Sequence, residues 1–134
     1  MMHVLPWSSS RMSRSKSAIL LVEDDRSLRA SLREFLEEHG FETYAAASRA
    51  EGEERLRSVR PGVCLLDLNL PDGSGVDLLH LIVREQMAVR VIVISAMPVG
   101  RLEEQFPAGV LAGTLTKPVS PQQLLEAVTR IVGG

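Results

Sequence analysis

The fold is decided by the stretch VCLLDLNLPDGSG, residues 63–75. It opens with an apolar run of strand length that ends on one carboxylate, Asp67, and a turn rich in Pro, Asp, Gly and Ser follows at once. A run this apolar predicts a strand buried on both faces, as in a parallel sheet. Asp67 is then at the carboxyl end of that strand, where open α/β sheets bind their ligands. Taken alone, Asp67 is as readily a turn residue as a functional one, so the other segments decide.

The composition is that of one globular domain. The chain has 134 residues, of which 45% are hydrophobic, and a net charge of −2. That length supports a core without disulfides, and the charge predicts no nucleic-acid or anionic-membrane surface. No apolar run reaches membrane-spanning length. The single cysteine, Cys64, is predicted to be a small buried hydrophobe, and in the absence of a secretory signal pattern the expected location is the cytoplasm.

The pattern of strands and helices predicts the architecture. Further strands are predicted at residues 18–22, 42–45, 89–94 and 113–116. Amphipathic helical patterns separate them, and capping sequences at Ser48 and Ser120 begin two of the helices. This alternation predicts one α/β domain over residues 18–134, a doubly wound, five-stranded parallel sheet, after a flexible tail of residues 1–17.

Polar residues follow the strands of this sheet at the ends that share one edge. They are Asp24 and Asp25 after the first strand, Asp67 after the third, Ser95 after the fourth and Lys117 after the fifth. Each has an ordinary explanation by itself: a helix cap, a turn or a solvated lysine. Together, three carboxylates would repel one another without a cation, and Mg²⁺ prefers such oxygen ligands. A carboxylate beside a lysine and a hydroxyl is also suited to form an aspartyl phosphate.

These residues give the chain a resemblance to a known family. From about Ala18 to Val132 it resembles a bacterial response-regulator receiver domain. The residues that carry this resemblance are the acid pair at residues 24–25, the stretch 67–75, Ser95-Ala96 and Lys117-Pro118. The resemblance implies a flavodoxin-like (βα)5 fold with strand order 2-1-3-4-5. It also implies a cis Lys117–Pro118 bond.

The resemblance further implies a role for each site residue. Asp67 would accept a phosphoryl group from a sensor histidine kinase or a phosphotransfer protein. Asp24, Asp25, Asp67 and the backbone carbonyl of Asn69 would hold Mg²⁺. Lys117 would pair with the phosphoryl oxygens, and the Ser95 hydroxyl would move to contact them. The chain would be a signalling module, not a dedicated enzyme, that acts on an unknown output protein as a monomer or weak homodimer.

The sequence departs from the family pattern in its fourth helix and fifth strand. Pro98, Gly100 and Pro107 restrict the helix to about residues 101–106. Thr114 stands where the family usually has an aromatic residue that turns inward when the hydroxyl moves, so the resemblance implies that phosphorylation is read out differently or weakly here. A receiver-like binding module that works without phosphate is therefore the alternative, and the chain is alternatively an excised part of a longer regulator. Haloacid-dehalogenase phosphatases also use a strand-end Asp, but they need an acid where this chain has Asn69.

Overall fold

A computed structural model describes residues 18–133 of the chain. Its centre is a five-stranded sheet in which every neighbouring pair is parallel. The strands are β1 Ile19–Val22, β2 Thr43–Ala46, β3 Val63–Asp67, β4 Arg90–Ser95 and β5 Leu111–Thr116. They lie in the order β2-β1-β3-β4-β5, as predicted. The predicted tail of residues 1–17 lies outside the described residues.

Four α-helices accompany these strands in the described part of the chain: α1 Arg26–Glu38, α2 Arg49–Val59, α3 Val76–Arg84 and α4 Pro121–Gly133. Between β4 and β5 the structure has a 3-10 helix, Leu102–Gln105. This confirms the prediction that only a short helix forms here, within about residues 101–106. The flanking proline and glycine residues leave room for little more than one turn. None of the helices between residues 18 and 133 combines the length and the apolar character needed to cross a bilayer.

The sheet divides the core into two layers because successive strand residues point to opposite faces. In β1, Leu20 and Val22 join the cluster under α2 and α3, whereas Ile19 and Leu21 join the cluster under α1 and α4. All of β3 is buried, which confirms the prediction of a strand covered on both faces. Cys64 lies in this strand, and burial raises the pKa of its thiol to about 12, so it is the buried hydrophobe that the sequence predicts.

Candidate functional site

The carboxyl edge of the sheet brings the predicted phosphoacceptor and the lysine into contact. Asp67 is the last residue of β3 and is only 2% exposed. Lys117 follows β5, and its backbone amide donates a hydrogen bond to the carbonyl of Ser95, 2.9 Å away, which ties it to the end of β4. The Lys117 Nζ atom lies 3.0 Å from Oδ2 of Asp67. The bond between Lys117 and Pro118 is cis.

A second carboxylate, Glu23, shares this lysine. Glu23 follows β1 and is fully buried, with its Oε1 and Oε2 atoms 3.2 Å and 3.3 Å from Lys117 Nζ. Burial raises the pKa of Glu23, and the charge of Asp67 raises it further, against the lowering effects of the Asp25 amide and of Lys117. Partial burial lowers the pKa of Lys117, but the hydrogen bonds and charges of the two carboxylates outweigh it and raise the pKa overall.

The site also has the composition of a divalent-cation site. Within residues 18–133, carboxylate oxygens of Glu23, Asp24 and Asp67 all lie within 4.8 Å of one another. The Oε1 atom of Glu23 is buried and accepts no hydrogen bond from the described residues, although Lys117 is near. A buried carboxylate oxygen without a donor is costly, and a hard cation such as Mg²⁺ would satisfy it. The residues present therefore fit the metal, which needs only one or two carboxylates together with water and phosphate oxygens.

The observed group of carboxylates differs from the predicted ligand set at one position. Asp25 is the N-cap of α1, and its Oδ1 atom accepts a hydrogen bond from the amide of Leu28 at 3.0 Å. The group of three carboxylates contains Glu23 in place of Asp25. A helix begins with unpaired amides that an Asp side chain satisfies, so Asp25 serves the helix. The sequence contained this signal, since an Asp directly before an amphipathic helix is a preferred N-cap.

Two other predicted residues lie beside the site in different arrangements. The amide of Asn69 donates a hydrogen bond to Oδ1 of Asp67 at 2.9 Å, so both carboxylate oxygens of Asp67 accept hydrogen bonds. The Oγ atom of Ser95 accepts a hydrogen bond from the amide of Met97 at 3.1 Å. Ser95 is thus placed at the right edge, but its hydroxyl oxygen is turned onto its own loop. Its movement toward a phosphoryl group, and the Asn69 carbonyl as a metal ligand, remain predictions.

The loop after Asp67 is held by its own backbone. Asn69–Leu70 pairs with Gly73–Ser74 as a short antiparallel hairpin, and the Gly75 amide donates a hydrogen bond to the carbonyl of Leu68 at 2.9 Å. A Cβ atom on Gly75 would lie 2.4 Å from the carbonyl oxygen of Asp67, so only glycine lets the end of this loop pack so closely against the backbone of Asp67.

The same loop is attached to α2 through a contact that sequence spacing could not reveal. The Asp72 carboxylate accepts hydrogen bonds from the amides of Arg49 (2.7 Å) and Ala50 (2.9 Å). These bonds lower the pKa of Asp72. Asp72 therefore caps a helix that begins 23 residues before it in the chain.

Residues 19–129 match the family model described as the response regulator receiver domain. The chain belongs to the receiver-domain family. This confirms the resemblance to receiver domains, and the sheet order β2-β1-β3-β4-β5 agrees with it.

Curated relatives of this chain include transcriptional regulators. This chain is 32% identical over 117 residues to the phosphate regulon transcriptional regulatory protein PhoB of Klebsiella pneumoniae. The matched segment covers 85% of this chain and 51% of the relative. The chain is 32% identical over 120 residues to the transcriptional activator protein ExaE of Pseudomonas putida, covering 87% and 55%. The chain thus spans about half the length of the curated relatives it matches.

Solved receiver domains have the same fold. A CheY-like response regulator receiver domain protein from Methanospirillum hungatei has a TM-score of 0.79 at 26% identity, covering 87% of this chain and 94% of that one. The non-phosphorylated HemR receiver domain from Leptospira biflexa has a TM-score of 0.78 at 29% identity, with the same coverage. Receiver domains are signalling modules, so the family assignment supports a signalling role for this chain.

Proposed function

We propose that the chain is the phosphoacceptor of a two-component system, in which Asp67 takes a phosphoryl group from a phosphohistidine. The donor would be a sensor histidine kinase or a phosphotransfer protein in the cytoplasm. The observation that supports this best is the buried Asp67 carboxylate at the sheet edge, with Lys117 Nζ 3.0 Å from Oδ2. Glu23 and Asp24 lie close enough to complete a cation site around it.

In the proposed reaction a carboxylate oxygen of Asp67 attacks the phosphorus atom. The phosphorus–nitrogen bond of the donor breaks, its electron pair stays on the imidazole nitrogen, and Asp67 becomes an acyl phosphate. Positioning and charge neutralisation account for most of the catalysis in phosphoryl transfer. Lys117 is already at the acceptor oxygen and would pair with the transferred oxygens, while Ser95 would turn its hydroxyl toward them.

Magnesium would supply neutralisation of the phosphoryl charge when bound. In our proposal its ligands are the carboxylates of Glu23, Asp24 and Asp67 and the backbone carbonyl of Asn69. Asp25 is left out of this set because its side chain caps α1.

The proposed readout is contact with a further protein, because the chain belongs to a family of signalling modules. A monomer or weak homodimer would expose the surface that changes on phosphorylation. The acid that haloacid-dehalogenase phosphatases need two residues after the nucleophile is Asn69 here, which argues against that enzyme class.

A phosphate-independent binding module is the second candidate. Thr114 in β5 is exposed, and the helix before β5 is only the four-residue 3-10 helix. The sheet face around Thr114 therefore lacks the aromatic residue and the long helix that would report phosphorylation in relatives.

The experiment that separates the two candidates is intact-mass analysis after incubation with acetyl phosphate and Mg²⁺. We expect one phosphoryl group on the parent protein, none on Asp67→Asn and none in the presence of EDTA. Asp25→Asn is the matched control for Glu23→Gln: it should keep Mg²⁺-dependent phosphorylation, which Glu23→Gln should reduce. No mass increase on the parent protein would favour the phosphate-independent module.

A further inference from the structure

One arginine, Arg29, binds the backbone of the acidic loop between β1 and α1. Its Nη1 atom donates hydrogen bonds to the carbonyl oxygens of Glu23 (2.8 Å) and Asp24 (3.2 Å). Its own backbone amide donates to the carbonyl of Asp25 at 2.8 Å. A single residue on the first turn of α1 thus holds three consecutive carbonyls, two of which belong to residues of the acidic cluster.

These carbonyls lie where regular structure ends. β1 ends at Val22 and α1 begins at Arg26, so neither the sheet nor the helix alone fixes the residues between them. Other hydrogen bonds of the loop run from the Glu23 amide to the Ala46 carbonyl, at 3.0 Å, and from the Asp25 amide to Oε2 of Glu23, at 3.0 Å. The contacts of Lys117 and Leu28 described above reach the side chains of Glu23 and Asp25 and leave the carbonyls of Glu23 and Asp24 to Arg29. Without the Arg29 side chain, the carbonyls of the two acidic residues would lose the partner that sets their direction.

We propose that Arg29 is a positioning residue of the cation site: it fixes the backbone of Glu23 and Asp24 so that their carboxylates converge with that of Asp67. The inference deepens the proposed function and depends on it for the site itself. Groups that orient metal ligands typically change metal affinity by about 10- to 100-fold when they are removed. We therefore expect Arg29→Ala to weaken Mg²⁺ binding by about tenfold.

The sign of this effect distinguishes positioning from simple electrostatics. Arg29 is a fixed positive charge beside a site that takes a cation, so its removal by charge alone would strengthen Mg²⁺ binding. Weaker Mg²⁺ binding by the folded variant therefore indicates the loss of the loop geometry. Arg33, one helical turn further along α1, is the matched control because it is exposed and pairs with Glu37 at 3.3 Å.

The test is a Mg²⁺ titration of the full chain followed by backbone amide chemical shifts, with the thermal midpoint of each metal-free variant recorded in parallel. Arg29→Ala should bind Mg²⁺ about tenfold more weakly than the parent, while Arg33→Ala should bind it as the parent does. Arg29→Lys keeps the charge and a nitrogen donor on a different stem, and it should recover part of the affinity. A merely structural role would lower the thermal midpoint and leave the Mg²⁺ affinity of the folded protein unchanged.

Equal or tighter Mg²⁺ binding by Arg29→Ala would overturn the inference. If Arg29→Ala does not fold, Arg29→Lys decides: weaker binding than in Arg33→Ala supports positioning, and equal binding overturns it. Failure of the proposed function gives a different pattern, because then the parent protein itself would acquire no phosphoryl group from acetyl phosphate. A parent protein that binds no Mg²⁺ would overturn both.

Discussion

Replacing Gly75 by alanine tests how the loop after Asp67 packs against the end of β3. The backbone of Gly75 is right-handed helical, with φ −63° and ψ −20°, so alanine suits its conformation. The obstacle is space alone. A Cβ atom there would lie 2.4 Å from the carbonyl oxygen of Asp67, 3.0 Å from Cα of Leu68 and 3.2 Å from the carbonyl carbon of Asp67.

The size of the effect follows from these distances. Non-bonded heavy atoms pack at about 3.5 Å or more, so the start of α3 and the end of β3 would have to separate by about 1 Å. All three atoms belong to the backbone and cannot rotate away. Overpacking of this kind costs about 1–3 kcal/mol of unfolding free energy, a fall of roughly 4–12 °C in Tm for a domain of this size.

The function should suffer more than the stability. The displaced carbonyl belongs to Asp67 itself, and a displacement of about 1 Å at a reacting group can lower a rate about 100-fold. We therefore expect Gly75→Ala to remain folded and to accept phosphoryl groups from acetyl phosphate about 100-fold more slowly. Thermal unfolding and a time course of intact mass measure the two effects.

Gly113→Ala is the control for this substitution. A Cβ atom on Gly113, in β5, would meet nothing within 4 Å, so its effect on stability should stay within about 0.5 kcal/mol. If Gly75→Ala matched Gly113→Ala in both Tm and phosphorylation rate, the close return of the loop onto Asp67 would be refuted.

Three further predictions concern other parts of the structure. Because Cys64 is buried and the pKa of its thiol is raised, the native protein should not react with a disulfide reagent at pH 8, whereas the denatured protein should react with one equivalent of the reagent. Reaction of the native protein would contradict the buried position of Cys64. Because hydrogen bonds lower the pKa of Asp72, its stabilisation should be present at neutral pH and be lost as the pH falls below about 4. The parent should therefore exceed Asp72→Ala in denaturant midpoint at pH 7 but not at pH 3, and an equal difference at both pH values would be inconsistent with the helix cap. Lys117→Met should lower Tm in metal-free buffer, because the buried carboxylates lose their counter-charge, and Mg²⁺ should restore part of the loss; a Tm unaffected by Mg²⁺ would contradict this.

The sheet could be predicted from the sequence because its central strands are continuous apolar runs. The apolar runs at residues 19–22 and 63–67 have no helical spacing, and parallel strands buried on both faces produce that pattern. The start of β5 was harder to predict, since the strand begins at Leu111, two residues before the predicted boundary. An edge strand is only partly buried, so its apolar pattern in the sequence is weaker.

The candidate site was predictable in position and less so in detail. The parallel topology alone places Asp67 and Lys117 at one edge of the sheet. It does not decide which two of the three consecutive acids at residues 23–25 lie near Asp67. The sequence places Asp24 and Asp25 after the first strand and the resemblance implies both as ligands, whereas the Asp25 side chain caps α1 and Glu23 lies in the cluster. The attachment of Asp72 to α2 depends on the folded loop, and no spacing in the sequence encodes a contact between residues 23 positions apart.

The most direct test of the central claim is to locate the phosphoryl group. Borohydride reduces an aspartyl phosphate to homoserine, and peptide mapping then identifies the residue that carried it. After incubation with acetyl phosphate and Mg²⁺, we predict homoserine at position 67 and nowhere else, and none when EDTA replaces the metal. Homoserine at another acidic residue, or at none, would contradict the assignment of Asp67 as the phosphoacceptor.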